Sequence, residues 1–228
     1  MPELPEVESI RRVLKNSLIN QKLQKYKIFD QRINRFNTVN PRNLGVLLEI
    51  YRKGKILQFN FKNNSIFFHL GMSGRLDLNG IKNKHTHGIF FFDEDVLHYD
   101  DIRKFGYIKI LKNDLANKQF AILGPDALSL SKLDKIFVMN KAKKSSTSIK
   151  KFLLDQKNIS GLGNIYVNEI LFLAGIHPHS VSFKLKDTNW NDIFLYTKKV
   201  LKKAIKNNGT TLSDMTYVLP QGLYGNNQ

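Results

Sequence analysis

The sequence predicts an α+β fold, in which an N-terminal helix and an antiparallel β-sandwich precede an α-helical domain. Two observations predict it. Short apolar runs separated by turn residues fill about 22–111, and the apolar spacing becomes helical after Gly124-Pro125. The chain of 228 residues is long enough for two small domains. We place the β-rich domain at 2–125, a linker at 126–140, the helical domain at 141–218 and an irregular tail at 219–228.

The first predicted element is an amphipathic helix over residues 5–18. Pro5 suits the first helical position, and Glu6 and Glu8 favour the positive end of the helix dipole. The apolar residues that follow recur at helical spacing, and they are Val7, Ile10, Val13, Leu14 and Leu18.

The β-rich part consists of apolar runs that are too closely spaced for βαβ units, which favours antiparallel pairing. Turn residues such as Lys53-Gly54 and Asn63-Asn64 separate these runs. The clearest runs are Val46–Tyr51, Ile56–Phe61, Ser65–Leu70, Ile89–Phe92, Val96–Tyr99 and Tyr107–Leu111.

Three helices are predicted in the second half of the chain. The first is capped by Thr147 or Ser148 and extends through Leu154, the second covers Asn164–Ala174, and the third covers about 190–206. A turn that contains Gly161 and Gly163 joins the first two.

The composition is strongly basic, with 36 Lys+Arg against 19 Asp+Glu and a formal charge of +17. Contacts from Lys and Arg to phosphates release condensed counterions, so nucleic acid is the simplest partner. An anionic membrane surface and a merely soluble basic protein remain as alternatives. The lack of cysteine excludes disulfide scaffolds and thiolate zinc sites within this chain.

The same composition bears on location and metals. No apolar run approaches the ~18 residues that span a bilayer, and the first residues lack the pattern of a secretion signal. We therefore expect a soluble, cytoplasmic protein. His85-Thr86-His87 has no third ligand at a recognisable spacing, so we expect no metal site.

Pro2 is a candidate nucleophile if the initiator Met is removed, because the chain then begins with a secondary amine. An α-amino group has a reference pKa of about 7.7–8.0, so part of it is unprotonated at neutral pH. Its attack on a sugar C1′ gives an iminium ion that acts as an electron sink, and the adjacent Glu3 can shuttle protons. The alternative is that Pro2 and Pro5 only start the first helix.

The opening string Met1-Pro2-Glu3-Leu4-Pro5-Glu6-Val7-Glu8 resembles that of the bacterial formamidopyrimidine-DNA glycosylases of the Fpg/Nei family. The resemblance implies excision of 8-oxoguanine and ring-opened purines from double-stranded DNA, with abasic-site lyase activity, by a monomer that needs no organic cofactor. Further segments match in the family's order, and they lie at 53–55, 69–74, 84–87, 101–106, 123–125, 155–157, 161–166, 175–178 and 209–212.

The resemblance implies the catalytic residues. Pro2 is the nucleophile, Glu3 assists it, and Glu6 lines the same pocket, although Glu6 equally suits the helix N-terminus. Lys55 is implied in β-elimination and phosphate contact, and its alternative is a solvated turn lysine.

A second implied set fills the gap that an everted base leaves in the duplex, and it comprises Met72, Arg103 and Phe105. The alternatives are a core Met, a surface Arg and a core Phe. The resemblance implies that His85 contacts phosphate. It also implies that Asn164 does so in a helix-two-turn-helix motif, where helix N-terminal amides receive phosphate. The remaining implied DNA contacts and lesion-pocket residues are Lys144, Tyr166, Glu169, Thr210 and Thr211.

The chain departs from the family pattern in several places. The family normally ends in a four-cysteine zinc finger, and this sequence has no cysteine. Ile102 replaces the usual proline, Lys104 the usual second arginine, and Ser145 an expected basic residue. We therefore expect no zinc, weakened DNA binding and impaired δ-elimination.

Three functional hypotheses follow. The first is a base-excision-repair glycosylase with lyase activity, and the second is a truncated, catalytically impaired DNA-binding protein of the same family. The third is an unrelated RNA-binding protein. The choice among 8-oxoguanine, formamidopyrimidines and oxidised pyrimidines stays open.

Overall fold

The computed structural model describes residues 2–34, 44–210 and 217–222. It confirms the α+β fold class, because a helix and antiparallel sheets occupy the N-terminal half and helices the C-terminal half. The first helix, α1, runs from Leu4 to Leu18, with Pro5 in its first turn as predicted.

Among the described residues ten strands follow α1, and all the pairs between these strands are antiparallel. One four-stranded sheet has the order β10-β6-β5-β4, a second has the order β2-β8-β9-β7, and β1 pairs with β3. The bounds are β1 Lys22–Leu23, β2 Lys25–Ile28, β3 Gly45–Val46, β4 Glu49–Lys53, β5 Ile56–Asn60, β6 Asn64–His69, β7 Gly74–Leu78, β8 Thr86–Phe91, β9 Val96–Asp101 and β10 Tyr107–Lys112.

The two larger sheets pack face to face around aromatic side chains. Phe68 of one sheet lies with its ring centroid 5.2 Å from that of Phe90 in the other and 6.2 Å from that of Tyr99. The inner face of α1 closes this core with Val7 and Ile10. The prediction of one continuous run over Val46–Tyr51 is wrong in one respect, because the run is divided between two strands. Val46 belongs to β3, which pairs with β1, whereas the later residues belong to β4, which pairs with β5.

In the described ranges, five further α-helices follow the strands, together with a short 3₁₀ helix at Ser182–Lys184. Their bounds are α2 Asn113–Ala121, α3 Lys132–Ala142, α4 Ile149–Leu154, α5 Asn164–Leu173 and α6 Asp187–Lys206. The three helices predicted from the sequence correspond to α4, α5 and α6, and Ser148 is the residue that caps α4.

Helix α3 occupies much of the segment 126–140 that composition assigns to a linker. Ser131 and Asp134 form a capping box, in which the Asp134 N–H donates to Ser131 Oγ over 3.1 Å. Only Val138 and Ala142 of this helix are buried, whereas Leu133, Ile136 and Phe137 are exposed, so its apolar residues do not form the single buried stripe that predicts a helix.

Helix α1 joins the two halves. Leu4 belongs to the helical core, whereas Val7 lies in the core of the β-sandwich. The N-terminal turn of α1 is therefore set at the junction between the halves, beside the N-terminus of α5.

Candidate active site

The N-terminal segment places its acidic side chains inside the protein. Pro2 is buried, and Glu3 and Glu6 are each 1% exposed. The Ile165 N–H of α5 donates to Glu3 Oε1 over 2.9 Å, whereas Glu3 Oε2 has no hydrogen-bond partner within the described part of the chain. A buried carboxylate oxygen that has no partner is available for a proton or a ligand.

Gly163 makes room for Glu3. A Cβ at this position would lie 2.3 Å from Glu3 Cδ and 2.4 Å from Oε1, closer than any real contact. Glycine is therefore needed here for space rather than for an unusual backbone conformation, because its φ of −134° is extended.

The N-terminus of α5 thus receives a carboxylate from the first domain. The sequence predicted that its amide groups would receive phosphate, and the structure gives the Ile165 amide to Glu3 instead. The exposed Asn164 side chain, at the first position of the helix, remains accessible for a phosphate.

Glu6 connects α1 with the far end of the chain. Its Oε2 accepts from the Glu3 N–H over 2.8 Å, and its Oε1 accepts from the Tyr166 hydroxyl over 2.5 Å and from the Thr210 N–H over 2.8 Å. Gly209, at φ +88°, gives the left-handed turn that brings Thr210 here. Thr211 lies outside the described residues.

Two buried tyrosines lie close to Glu6, and one of them bonds to its carboxylate. Tyr166 was predicted to contact DNA, but it is buried with its hydroxyl on Glu6, so in this conformation it holds Glu6. Tyr217, which sequence reasoning did not single out, donates to the Asn208 carbonyl over 2.9 Å. Burial, with the charge of Glu6, raises the pKa of both phenols, so both stay protonated as donors.

Lys55 completes the charged group at the turn between β4 and β5. Burial lowers the pKa of its ammonium, and the carboxylates of Glu3 and Glu6 act in the opposite direction. Burial raises the pKa of Glu3, and Lys55 opposes this. Among the described residues Lys55 makes no salt bridge within 4.0 Å, so its amine is not committed to a structural ion pair.

A buried ion-pair network, here called the clamp, holds the turn that carries Lys55. It comprises Glu8, Arg52 and Asp126. Arg52 forms hydrogen bonds of 2.7 and 3.1 Å with Asp126 and one of 3.1 Å with Glu8. Gly54 donates its N–H to Asp126 over 2.7 Å and accepts from Arg52 over 2.8 Å.

Three arginines, one of them Arg52 of the clamp, keep Glu8 charged. Burial alone would raise the pKa of Glu8, but hydrogen bonds and charge from Arg11, Arg12 and Arg52 lower it to about 2. Glu8 therefore differs from Glu3, whose raised pKa suits proton transfer, although both lie on the first two turns of one segment.

The predicted gap-filling residues lie on two touching loops. Met72 is 38% exposed, Phe105 is 52% exposed, and Arg103 is also exposed. The Arg103 guanidinium lies 4.9 Å from the centroid of the Phe105 ring. Met72 and Phe105 are therefore surface residues and not core residues.

The remaining predicted DNA contacts are spread over both halves. His85 is half-buried on the loop before β8, and Glu169 is half-buried on α5. Lys144 is exposed and lines a cavity of about 380 Å³ with Lys141 and Lys151.

His69 was not singled out from the sequence. It pairs across the sheet with Ile56, the neighbour of Lys55, and stacks on Tyr107 at 5.2 Å. Its place at the start of the matched segment 69–74 was the signal that could have pointed to it.

Neither a metal cluster nor a membrane span emerges from the described ranges 2–34, 44–210 and 217–222. No three His, Asp or Glu side chains there group as metal ligands, and a sequence without cysteine cannot build a thiolate zinc site. No helix of that part is both long and apolar enough to cross a membrane.

Two family models match the chain. The N-terminal domain of formamidopyrimidine-DNA glycosylase matches residues 1–108, and the H2TH domain of that enzyme matches residues 123–216. The chain belongs to the formamidopyrimidine-DNA glycosylase family. The resemblance seen in the opening string and the ordered segments is confirmed.

Individual relatives lead to the same family assignment. The chain is 36% identical to the formamidopyrimidine-DNA glycosylase of Psychromonas ingrahamii, over 94% of this chain and 82% of that protein. It is 35% identical to that of Listeria innocua, over 100% of this chain and 86% of the relative.

Solved structures of the Lactococcus lactis enzyme share the fold. One is a complex with DNA that contains an abasic site, with a TM-score of 0.88 and 31% identity over 99% of this chain and 85% of that one. Another is non-covalently bound to DNA with an AP site, with a TM-score of 0.84 and 32% identity over 92% and 84% of the two chains.

Proposed function

We propose that this protein is a base-excision-repair DNA glycosylase that removes oxidised purines and cleaves the resulting abasic site by β-elimination. The observation that carries the proposal is that the half-buried Lys55 is coupled electrostatically to the buried carboxylates of Glu3 and Glu6, on the segment that directly follows Pro2. Membership of the family supports the same function.

Base release begins at Pro2. Its amine nitrogen forms a bond to C1′ while the bond from C1′ to the base nitrogen breaks, and the base leaves with that electron pair and takes a proton. The amine nitrogen then transfers its N–H proton to the Glu3 carboxylate, and its lone pair forms the C1′=N iminium bond as the sugar ring opens. Opening of the sugar breaks the C1′–O4′ bond and requires a proton at O4′. Glu3 suits this donation, because burial raises the pKa of its carboxyl group.

Strand cleavage uses the same iminium ion. A base removes a proton from C2′, the electrons move into the C1′=N bond system, and the 3′ phosphate leaves. Lys55 is the group suited to this stage, since burial lowers the pKa of its ammonium and increases the fraction of free amine. Hydrolysis then releases Pro2, and no organic cofactor enters any of these steps.

The proposed DNA contacts fall into three sets. Met72, Arg103 and Phe105 enter the duplex where the damaged base leaves it. The backbone contacts proposed are His85, Lys144 and Asn164, and the lesion-pocket residues proposed are Glu169, Thr210 and Thr211.

Borohydride trapping tests the chemistry. Wild-type protein is mixed with duplex DNA that contains 8-oxoguanine opposite cytosine, and the covalent adduct is measured. We expect an adduct that is lost in Pro2→Gly and strongly reduced in Lys55→Met. Lys53→Met is the matched control, because Lys53 shares the turn region but donates to the Phe120 carbonyl over 3.2 Å.

Two outcomes would contradict the proposal. Salt-sensitive DNA binding without any adduct would favour the catalytically impaired DNA-binding protein. Equal binding of intact RNA and damaged duplex would favour an RNA-binding protein.

A further inference from the structure

One buried carboxylate, that of Asp101, joins the two loops that carry the gap-filling side chains. The first loop connects β6 to β7 and carries Met72. The second connects β9 to β10 and carries Arg103 and Phe105. Asp101 is 0% exposed at the end of β9, and its neighbour across the sheet is Gly74.

Within the described part of the chain, every hydrogen bond that the Asp101 carboxylate accepts comes from one of these loops. Ser73 Oγ donates to Oδ1 over 2.6 Å, the Arg103 N–H reaches Oδ1 over 3.2 Å, and the Gly106 N–H donates to Oδ2 over 2.8 Å. The Arg103 N–H also donates to Ser73 Oγ over 2.9 Å. Ser73 of the first loop is thereby connected to Arg103 and Gly106 of the second loop through one carboxylate.

The loops also touch directly through their backbones. A Cβ on Gly71, at φ +58°, would lie 2.5 Å from Gly106 N and 2.6 Å from the Phe105 carbonyl carbon. A Cβ on Gly106 would lie 1.9 Å from the Tyr99 hydroxyl and 2.4 Å from the His69 carbonyl oxygen. Glycine is therefore required at both positions, and the backbone of Phe105 and Gly106 lies directly against Gly71.

Asp101 has no cationic partner among the residues that the structure describes. Its backbone is anchored separately, by its N–H on the His85 carbonyl at 3.0 Å and by His87 Nε2 on its carbonyl at 2.9 Å. The strand position therefore does not depend on the carboxylate. What depends on the carboxylate is the position of the loops relative to each other.

We propose that Asp101 is a positioning residue that fixes the loop of Met72 relative to the loop of Arg103. Insertion of Met72 into the gap and recognition of the unpaired base by Arg103 then occur together. The inference rests on the proposed role of these side chains in DNA. A guanidinium recognises cytosine through donors of fixed geometry, so a small shift of its loop removes the discrimination. The expected consequence is a preference for cytosine opposite the lesion that requires Asp101.

The test measures binding rather than chemistry. Duplexes carry a tetrahydrofuran abasic analogue opposite either cytosine or adenine, and the readout is the ratio of the two dissociation constants. Asp101→Asn places an amide NH₂ against at least one N–H or O–H donor. We expect the ratio to fall by about tenfold, the order of the loss when one hydrogen bond to a charged group is broken.

Asp100→Asn is the matched control. Asp100 is the adjacent buried residue on β9, but its side chain accepts from Arg75 over 2.9 Å and from Asn83 over 2.9 Å, away from both loops. We expect it to lower thermal stability to a similar degree and to leave the cytosine-to-adenine ratio unchanged. Ser73→Ala, which removes one donor and leaves the carboxylate, is expected to lower the ratio by about threefold.

The proposal is overturned if Asp101→Asn and Asp100→Asn weaken binding in parallel with an unchanged ratio. It is also overturned if the wild-type protein does not distinguish cytosine from adenine. If Asp101→Asn does not fold, an unchanged ratio of the two dissociation constants in Ser73→Ala overturns the proposal instead. Since the analogue cannot react with Pro2, failure of the borohydride adduct leaves this measurement intact.

Discussion

Replacing Gly163 by alanine tests whether the N-terminus of α5 positions Glu3 for chemistry. The backbone at Gly163 has φ −134° and ψ −166°, which alanine adopts without strain. The added methyl group would lie 2.3 Å from Glu3 Cδ, about 1 Å closer than an ordinary contact, so the carboxylate has to move. Its hydrogen bond from the Ile165 N–H is then lost or lengthened.

A displacement of this size has a large expected effect on catalysis and a small one on stability. Misplacing a reacting group by about 1 Å costs on the order of 10²-fold in rate. Alanine in place of glycine at a helix N-cap costs about 1 kcal/mol. We therefore expect adduct formation to slow by about 10²-fold, while the affinity for duplex with the abasic analogue stays unchanged because Asn164 is retained.

The assay is single-turnover borohydride trapping, with binding measured in parallel. Gly175→Ala is the control, because Gly175 has φ +64° and no heavy atom within 4 Å of the added Cβ. In this left-handed conformation alanine lowers the free energy of unfolding by about 1 kcal/mol, so the variant loses stability although its added methyl group does not touch the site. A wild-type trapping rate in Gly163→Ala would refute the assignment of Glu3 to this position or to this chemistry.

Three other variants test the same region. Glu3→Gln is expected to raise Tm at neutral pH, because burial raises the pKa of Glu3 and its charged form therefore destabilises the fold. Calorimetry should show this gain in Tm shrink as the pH falls and vanish below 4.5, the pKa of the unfolded glutamate. Asp126→Asn leaves Arg52 with a weaker partner, and urea unfolding should show a loss of about 3 kcal/mol. Tyr166→Phe removes the donor to Glu6 and should cost about 1–2 kcal/mol, together with slower base excision in a gel assay.

Local signals in the sequence were enough for several elements. Pro5 and the apolar stripe that ends at Leu18 determine α1, which begins one residue before its predicted start. Alternating short runs determine most of the strands, since strand periodicity and turn residues act over a few neighbours. Where local signals were weak, as in the sparsely buried α3, the prediction did not find the helix.

The ordered family segments placed the candidate residues along the chain, but not their partners. Glu3 meets the Ile165 N–H from 162 residues away, and Glu6 meets the Thr210 N–H from 204 residues away. No spacing rule within a helix or strand connects positions so distant. Only packing of α1 against both halves brings these groups together.

The sequence by itself therefore determined the fold class and the family, and it supplied the candidate reactive side chains, because these depend on local pattern and residue identity. The tertiary structure decided how those side chains are tuned. It gave Glu3 and Glu8 opposite pKa shifts, since one has a desolvated environment and the other has three arginines. It also placed Asp101 between two loops, because burial and hydrogen bonding depend on neighbours that only the folded chain supplies.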